Sequence, residues 1–140
     1  MSAKRCWASS ADPTALTYFK ACSGSGQTAT GYANQSAGGL DIDPHGNIVS
    51  LSQTSAQVYV YSGCNPTCKV IGGPFSLRGQ AVYGHLNKDG SRLAIADYQA
   101  GSIDVYEYTP RNITYLYSFD NGISPSQSRL GVAYNPRSKE

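Results

Sequence analysis

The feature that most constrains the fold of this chain is a turn-and-strand pattern that recurs at a nearly constant spacing. Gly46, in an Asp-Pro-His-Gly turn, and Gly90, in an Asn-Lys-Asp-Gly turn, stand 44 residues apart. The run Val-Tyr-Val-Tyr at 58–61 is matched by Ile-Asp-Val-Tyr at 103–106, 45 residues later. Asn135 and its following proline repeat the Asp-Pro of the first turn after 92 residues, which is twice 46. The three offsets agree on one period, and a fixed period of about 20–50 residues indicates a repeat architecture.

Each period contains short strand-like runs separated by turn residues. No helical periodicity persists for the ~11 residues that a helix assignment needs. The tight turns between the runs need a residue with positive φ. Gly90 at the end of one turn and the Ala100-Gly101 pair in the next meet this need. The clearest unit is therefore predicted to be a four-stranded antiparallel meander. Its strands are expected at residues 81–87, 92–97, 102–108 and 113–119.

Several of these runs carry large side chains on both faces, as in 58–61 and 115–119. A sheet with one face in water would instead place a polar residue at every second position, so the sheets are expected to be covered on both sides. Four-stranded meanders of this length, stacked on neighbours of their own kind, are propeller blades. An irregular β-sandwich is the alternative, and it explains the strands but not the period.

The predicted fold is therefore all-β, a single partial β-propeller domain over residues 1–140. It has about three four-stranded antiparallel blades in permuted strand order. The blades are expected at about 6–44, 48–87 and 92–136.

Two segments carry a family resemblance. Residues 39–48, Gly-Leu-Asp-Ile-Asp-Pro-His-Gly-Asn-Ile, and residues 93–106, which contain Ala-Asp at 96–97 and end in Val-Tyr, resemble the two halves of the NHL-type propeller repeat. The resemblance covers about 39–136 and, loosely, 6–35. It implies an architecture only, because such propellers include ligand-binding, scaffolding and lactonase-like members.

This chain departs from the repeat at three positions. Ser10 and Ser52 stand where the third unit has Asp97, and Ala56 stands where it has Gly101. These differences put the turn after the second strand in doubt in the first two units.

The order of the strands suggests what the domain contacts. The chain opens in what aligns with a second strand, residues 6–11, and closes in a first strand, residues 129–135. Three blades cannot close a ring, because propellers need about 4 to 8. The expected partners are additional blades of the same propeller or a second copy of the chain.

Composition excludes several other partners. The 140 residues carry a net charge of +2, which gives no basic field suited to phosphates. No window approaches the ~20 apolar residues of a membrane span. We therefore predict no nucleic-acid partner and no membrane span. Residues 1–6 hold two basic residues but no apolar core, so they do not form a secretory signal as they stand.

The four cysteines allow three disulfide connectivities. Cys64 and Cys68 flank a three-residue turn, which brings them close enough for a disulfide. Cys6 is expected to face a position near residue 20 of the next strand, so a Cys6–Cys22 bond is geometrically allowed. Two bonds would indicate an oxidising compartment and an extracytoplasmic or secreted protein. A zinc site and reduced thiols are the alternatives.

The usual catalytic motifs are missing: there is no Gly-rich phosphate loop, no HExxH and no GxSxG. No catalytic residue, metal or cofactor is predicted. His85 lies in a first strand, which lines the channel of a propeller, and Asp41 is placed to reach the same channel. Asp43 and Asp97 are expected to accept backbone N–H bonds in the turns that follow them.

The loops between second and third strands and between blades converge on one end of a propeller, where ligands usually bind. Here they carry a polar, mildly basic group that suits a peptide, a glycan or a small acid. The candidate binding residues are Arg78, Asp97, Tyr98, Gln99 and Arg129.

The predicted function is a non-catalytic binding or assembly module. The alternative is part of a propeller hydrolase or lyase that resembles lactonase-like enzymes, whose divalent metal is held by Glu, Asp and Asn. Because Glu107 and Glu140 are the only glutamates, that cage is hard to assemble here.

Overall fold

The computed structural model describes residues 4–11, 14–33, 37–120 and 132–135. These residues form eleven β-strands and no helix, arranged in three antiparallel sheets, which confirms the all-β prediction. The strands are β1 Arg5–Ala11, β2 Thr14–Lys20, β3 Gln27–Thr28, β4 Ala37–Ile42, β5 Ile48–Ser52, β6 Gln57–Gly63, β7 Cys68–Ser76, β8 Ala81–Leu86, β9 Arg92–Asp97, β10 Ser102–Thr109 and β11 Asn112–Phe119.

Each sheet is a meander whose strands pair in chain order. The first sheet holds β1–β3, the second β4–β7 and the third β8–β11. The strands of the third sheet match the four predicted runs to within one residue at each end. One sheet ends at residue 76 and the next begins at residue 81, so the first two predicted repeat units each take their last strand from the sheet that follows.

The turn after β5 accommodates both departures of the second unit from the repeat, Ser52 and Ala56. Gly90 and Gly101 adopt positive φ, as the turn chemistry predicts. Ala56 takes the same left-handed conformation, with φ 48°, although it has a side chain. Ser52 replaces the aspartate of the repeat, and its hydroxyl hydrogen-bonds to that of Ser55 within the turn.

The two faces of each sheet contact different neighbours, because successive side chains of a strand point to opposite sides. We call the side turned toward the following sheet in the chain the forward face, and the other side the backward face. On the second sheet, Ile48 and Tyr61 point backward and pack against Leu16 and Trp7 of the first sheet. Its forward face, which packs against the third sheet, is formed by Val49, Leu51, Val58 and Val60.

The third sheet repeats this arrangement at the same positions. Its backward face meets the second sheet through Leu93, Ile95, Tyr106 and Tyr108. Its forward face is formed by Ala94, Ala96, Ile103 and Val105, each 45 residues after its counterpart in the second sheet. Residues 132–135 follow on this face, where Val132 and Tyr134 pack against three of the four.

The predicted Cys64–Cys68 disulfide is present, and so is the Cys6–Cys22 bond that the hairpin allows. Cys6 pairs in register with Phe19, next to the position expected from the hairpin. Two disulfides are typical of an oxidising environment. Among the residues that the structure describes, no helix has the length and apolar character needed to cross a membrane.

Candidate functional site

Four of the five predicted binding residues lie at one end of the third sheet. The segment between β7 and β8 carries Arg78, and the turn between β9 and β10 carries Tyr98 and Gln99. The two segments touch, because the backbone N–H of Tyr98 donates to the carbonyl of Gln80 at 2.9 Å. The structure therefore places these two loops in direct contact. Arg129 lies outside the described residues.

Asp97 organises its turn, as predicted. Its Oδ1 accepts hydrogen bonds from the backbone N–H groups of Gln99 and Ala100, both at 2.9 Å. The side chain is only 2% exposed, and burial, with the nearby charge of Asp104, raises the pKa of Asp97. Gly79 lies against the carboxylate, where a Cβ would overlap its oxygens. Asp97 thus holds the loops in place and is not presented to solvent.

Arg78 is an exposed cationic group at this end of the sheet. Its guanidinium carbon lies 4.3 Å from the centroid of the Tyr115 ring, a cation–π contact. Nη1 donates to the Ser118 hydroxyl at 3.2 Å, and that hydroxyl donates to Oδ1 of Asp104 at 2.6 Å. The guanidinium is therefore linked through one hydroxyl to a buried carboxylate, which fixes its position.

Sequence reasoning missed the residues that position Arg78. Asp104, Tyr115 and Ser118 lie on strands, whereas the search was confined to loops. The signal was an aspartate at an otherwise apolar position of β10, where the alternation places it inside. Beside this group an open hollow of about 380 Å³ is lined by Ser102, Ser118, Phe119 and Asp120.

Tyr106 attaches the segment before β8 to the sheet. Its hydroxyl accepts a hydrogen bond from the backbone N–H of Arg78 at 3.0 Å. The ring is 2% exposed, and burial raises the pKa of Tyr106 to about 12. The phenol therefore stays neutral at ordinary pH and acts as a structural hydrogen-bonding group.

Asp41 and His85 form a second polar pair, on adjacent inner strands of the second and third sheets. Nδ1 of His85 lies 2.8 Å from Oδ2 of Asp41, which also accepts the backbone N–H of Leu86 at 2.7 Å. Both residues were predicted to face the same channel, and the structure joins them. A hollow of about 290 Å³ beside them is also lined by Lys88 and Tyr134. Within the described ranges, no three His, Cys, Asp or Glu side chains are grouped to hold a metal ion.

On the forward face of the third sheet the inner positions are buried, with Ala94, Ala96, Ile103 and Val105 at most 8% exposed, whereas two aromatic rings at its outer edge remain exposed. Tyr117 is 56% exposed and Phe119 is 41% exposed, both on the outer strand β11. They border a groove of about 270 Å³. Its other lining residues are Ala94, Ile103, Val105, Val132, Ala133, Tyr134 and Asn135.

This face and the forward face of the second sheet, which the third sheet covers, differ at one position of the outer strand. Gly72 pairs with Val60 in the second sheet, and Tyr117 pairs with Val105 at the same place in the third. A Cβ on Gly72 would overlap the carbonyl oxygen of Pro110, because the turn between β10 and β11 presses against it. The second sheet thus has no side chain at the point where the third has a large exposed ring.

Comparison with models of known protein families and with curated proteins gives no match.

Proposed function

We propose that this chain is a non-catalytic repeat module of NHL-type propeller architecture that works by binding a further β-sheet on the forward face of its third sheet. The observation that carries the proposal is the 45-residue correspondence between the two forward faces. Val49, Leu51, Val58 and Val60 are covered by the third sheet. Their counterparts form a face of the same apolar character, which is also buried, and Val132 and Tyr134 are the described residues that pack upon it, where a following sheet would begin.

The energetics favour covering this face. Burying apolar surface stabilises a complex by about 25 cal/mol per Å², and aromatic side chains bury the most area per residue. Tyr117 is 56% exposed and Phe119 is 41% exposed, although each has the apolar surface of a core residue. Neighbouring exposed aromatic rings of this kind favour an interaction site at the edge of the face.

The predicted location and the predicted ligand rest on two other features of the chain. The two disulfides support an extracytoplasmic or secreted protein. A peptide, glycan or small acid at the Arg78 end stays a prediction, supported by the guanidinium that Tyr115 and Ser118 hold in place. The lactonase-like alternative also stays a prediction.

The test places a charge on the proposed surface. Tyr117→Lys puts an ammonium group where the covering sheet would lie, and Val70→Lys is the matched control on the outer strand of the second sheet, where Val70 is 40% exposed. In sedimentation velocity, we expect the unsubstituted chain and Val70→Lys to associate as concentration rises, and Tyr117→Lys to stay monomeric. If all three sediment alike at every concentration, the forward face is not a binding surface.

A further inference from the structure

The positive charge of Arg78 has no carboxylate directly beside it. Arg78 takes part in neither of the two ion pairs that the described residues form. Residues 121–131, which follow β11 in the chain, include no Asp or Glu. A guanidinium carries five N–H donors, and among the described residues the Ser118 hydroxyl is the one acceptor that the Arg78 side chain reaches. Most of the hydrogen-bonding capacity of this side chain is therefore not used inside the described part of the chain.

The Ser118 hydroxyl fixes the direction of the guanidinium. A serine hydroxyl has one hydrogen, and here that hydrogen goes to Oδ1 of Asp104 at 2.6 Å. The same oxygen therefore accepts from Nη1 of Arg78 at 3.2 Å and from the Tyr115 hydroxyl at 2.9 Å. The Tyr115 ring packs against the guanidinium as well. A group held in this way is already ordered, which lowers the entropic cost of binding a ligand.

A carboxylate is the group that fits such a guanidinium best. Two parallel N–H groups of an arginine match the two oxygens of a carboxylate, and these charge-assisted bonds are about twice as strong as neutral hydrogen bonds. Arg78 is exposed, so a ligand can reach it from solvent.

The hollow beside Arg78 shows what the rest of the ligand must look like. Its volume of about 380 Å³ lies within the roughly 300–1,000 Å³ of small-molecule sites. Phe119 gives it an apolar wall. Ser102 and Asp120 give it acceptor oxygens, because the Ser102 hydrogen is already donated to Asp104 at 2.9 Å. A matching ligand therefore has a carboxylate, an apolar face and hydroxyl groups that donate.

Asp120 also limits the charge of the ligand. Its carboxylate is exposed and lines the hollow, so a second negative charge on the ligand would meet a charge of the same sign. A phosphate ester carries about −1.5 to −2 charges at pH 7, whereas a carboxylate carries one. A free amino acid has one carboxylate but no hydroxyl-bearing ring to pack on Phe119. A hexuronic acid, which is a sugar with one carboxylate, has all three of the required features.

We propose that Arg78 and the hollow beside it bind a hexuronic acid residue of a polysaccharide. The sugar carboxylate pairs with the guanidinium, a C–H face of the sugar ring packs on Phe119, and sugar hydroxyls donate to Ser102 and Asp120. Binding at this end of the sheet does not require a covering sheet on the forward face.

The test compares three sugars that share one ring and differ in the group on the last carbon. Galacturonic acid has a carboxylate there, galactose has a hydroxymethyl group, and galactose 6-phosphate has a phosphate ester. Each sugar is titrated into the isotope-labelled chain, and NMR follows the backbone amides of residues 78, 98–102 and 118–120 and the Nε–H signal of Arg78. We expect galacturonic acid to bind at least about tenfold more tightly than the other two, since it alone forms a charge-assisted pair without repulsion from Asp120.

Three variants assign the binding to Arg78. Arg78→Gln removes the charge, and we expect it to weaken the binding of galacturonic acid at least about tenfold. Arg78→Lys keeps a positive charge near Asp104 but loses the paired donors, so it should weaken binding by a smaller factor and leave the midpoint of urea denaturation unchanged. Arg111→Gln, in the exposed turn between β10 and β11, is the control and should bind as the unsubstituted chain does.

Several results would overturn this site. Equal binding of galactose would show that Arg78 takes no carboxylate from the ligand, and tighter binding of galactose 6-phosphate would show that the site takes phosphates. Free serine that shifts the same signals at a lower concentration than galacturonic acid would assign the hollow to amino acids. If none of these compounds shifts the signals, Arg78 only balances the charge of Asp104. Each of these results leaves the sedimentation test of the forward face unaffected, so the two proposals fail separately.

Discussion

Two buried aspartates show how single residues set the turns of this fold. Asp43 is 3% exposed, and its Oδ1 accepts the backbone N–H groups of His45 and Asn47, both at 2.9 Å. Its Oδ2 accepts the Tyr108 hydroxyl of the next sheet at 3.1 Å, and the burial of that phenol raises the pKa of Tyr108. Asp97 makes two similar backbone bonds but lies close to a second buried carboxylate, Asp104. Asp43 therefore links two sheets, whereas Asp97, in the equivalent kind of turn, is destabilised in its charged form by burial and by Asp104.

That cost predicts how Asp97→Asn changes the pH dependence of stability. Burial raises the pKa of Asp97 above its ordinary 3.8, so the folded chain holds this proton more tightly than the unfolded chain. Stability is then lost as pH rises from 3.8 through the folded pKa, and the loss persists above it. The asparagine carbonyl can still accept both backbone bonds. We therefore expect the free energy of unfolding of the variant to rise relative to that of the unsubstituted chain as the pH is raised from about 3 to about 7. Urea denaturation at each pH measures this difference.

Asp89→Asn provides a control of opposite sign. A hydrogen bond from the Ser91 hydroxyl lowers the pKa of Asp89, and this carboxylate is fully exposed. The Asp89 carboxylate stabilises the folded chain above its ordinary pKa, and this stabilisation is lost on acidification. Asp89→Asn should therefore not raise the free energy of unfolding at neutral pH. An Asp97→Asn variant that loses stability at neutral pH would contradict the electrostatic account.

Among the elements, the short loop closed by Cys64 and Cys68 joins the first two sheets. The indole N–H of Trp7 donates to the carbonyl of Cys64 at 2.8 Å. The backbone N–H of Cys68 donates to the carbonyl of Thr30 at 2.7 Å, and that of Thr30 donates to the carbonyl of Pro66 at 2.9 Å. Trp7 lies in the first sheet and Thr30 in the segment that follows β3, so the loop binds both the first sheet and the connection that leads from it to the second sheet.

We predict that replacing both cysteines of this loop by serine loosens the first sheet. Trp7 is the single tryptophan of the chain, so its emission reports this contact alone. We expect a red shift of the emission maximum and a loss of about 2 kcal/mol in the free energy of unfolding. The paired control, Cys6→Ser with Cys22→Ser, removes the other disulfide and leaves the Trp7 contact in place. A larger red shift in the control than in the loop variant would contradict this role of the loop.

The contact between the second and third sheets depends on one glycine. A methyl group on Gly72 would overlap the carbonyl oxygen of Pro110, which belongs to the backbone and cannot move aside cheaply. We expect Gly72→Ala to lower the free energy of unfolding by about 2–3 kcal/mol. Gly46→Ala is the control, since Gly46 has φ 82° and open space around it, and should cost about 1 kcal/mol. Equal costs in the two variants, measured by denaturant titration, would show that the sheets can separate at Pro110.

In the whole molecule, the repeat spacing was enough to predict the strands of the sheets. The side-chain contacts between distant segments were harder to predict. The strands around Gly90 and Gly101 could be placed because turn residues and apolar alternation are local signals. The Cys6–Cys22 pairing followed from one hairpin. The group formed by Arg78, Tyr115 and Ser118 could not be predicted, because it depends on how a connecting segment crosses strands some 40 residues away.

A stack of sheets whose last described sheet exposes aromatic rings at the edge of its forward face predicts a stability that depends on protein concentration. Covering the forward face stabilises only the folded state, so association raises the midpoint of thermal unfolding by mass action. Over a hundredfold rise in concentration we expect the midpoint to increase by roughly 5 °C. In Tyr117→Lys the same rise should leave the midpoint unchanged, because the ammonium group would have to be buried without a partner charge. Val70→Lys carries the same added charge on another outer strand and should behave like the unsubstituted chain. A midpoint that is constant for all three chains would mean that water, and not another sheet, is the normal neighbour of this face.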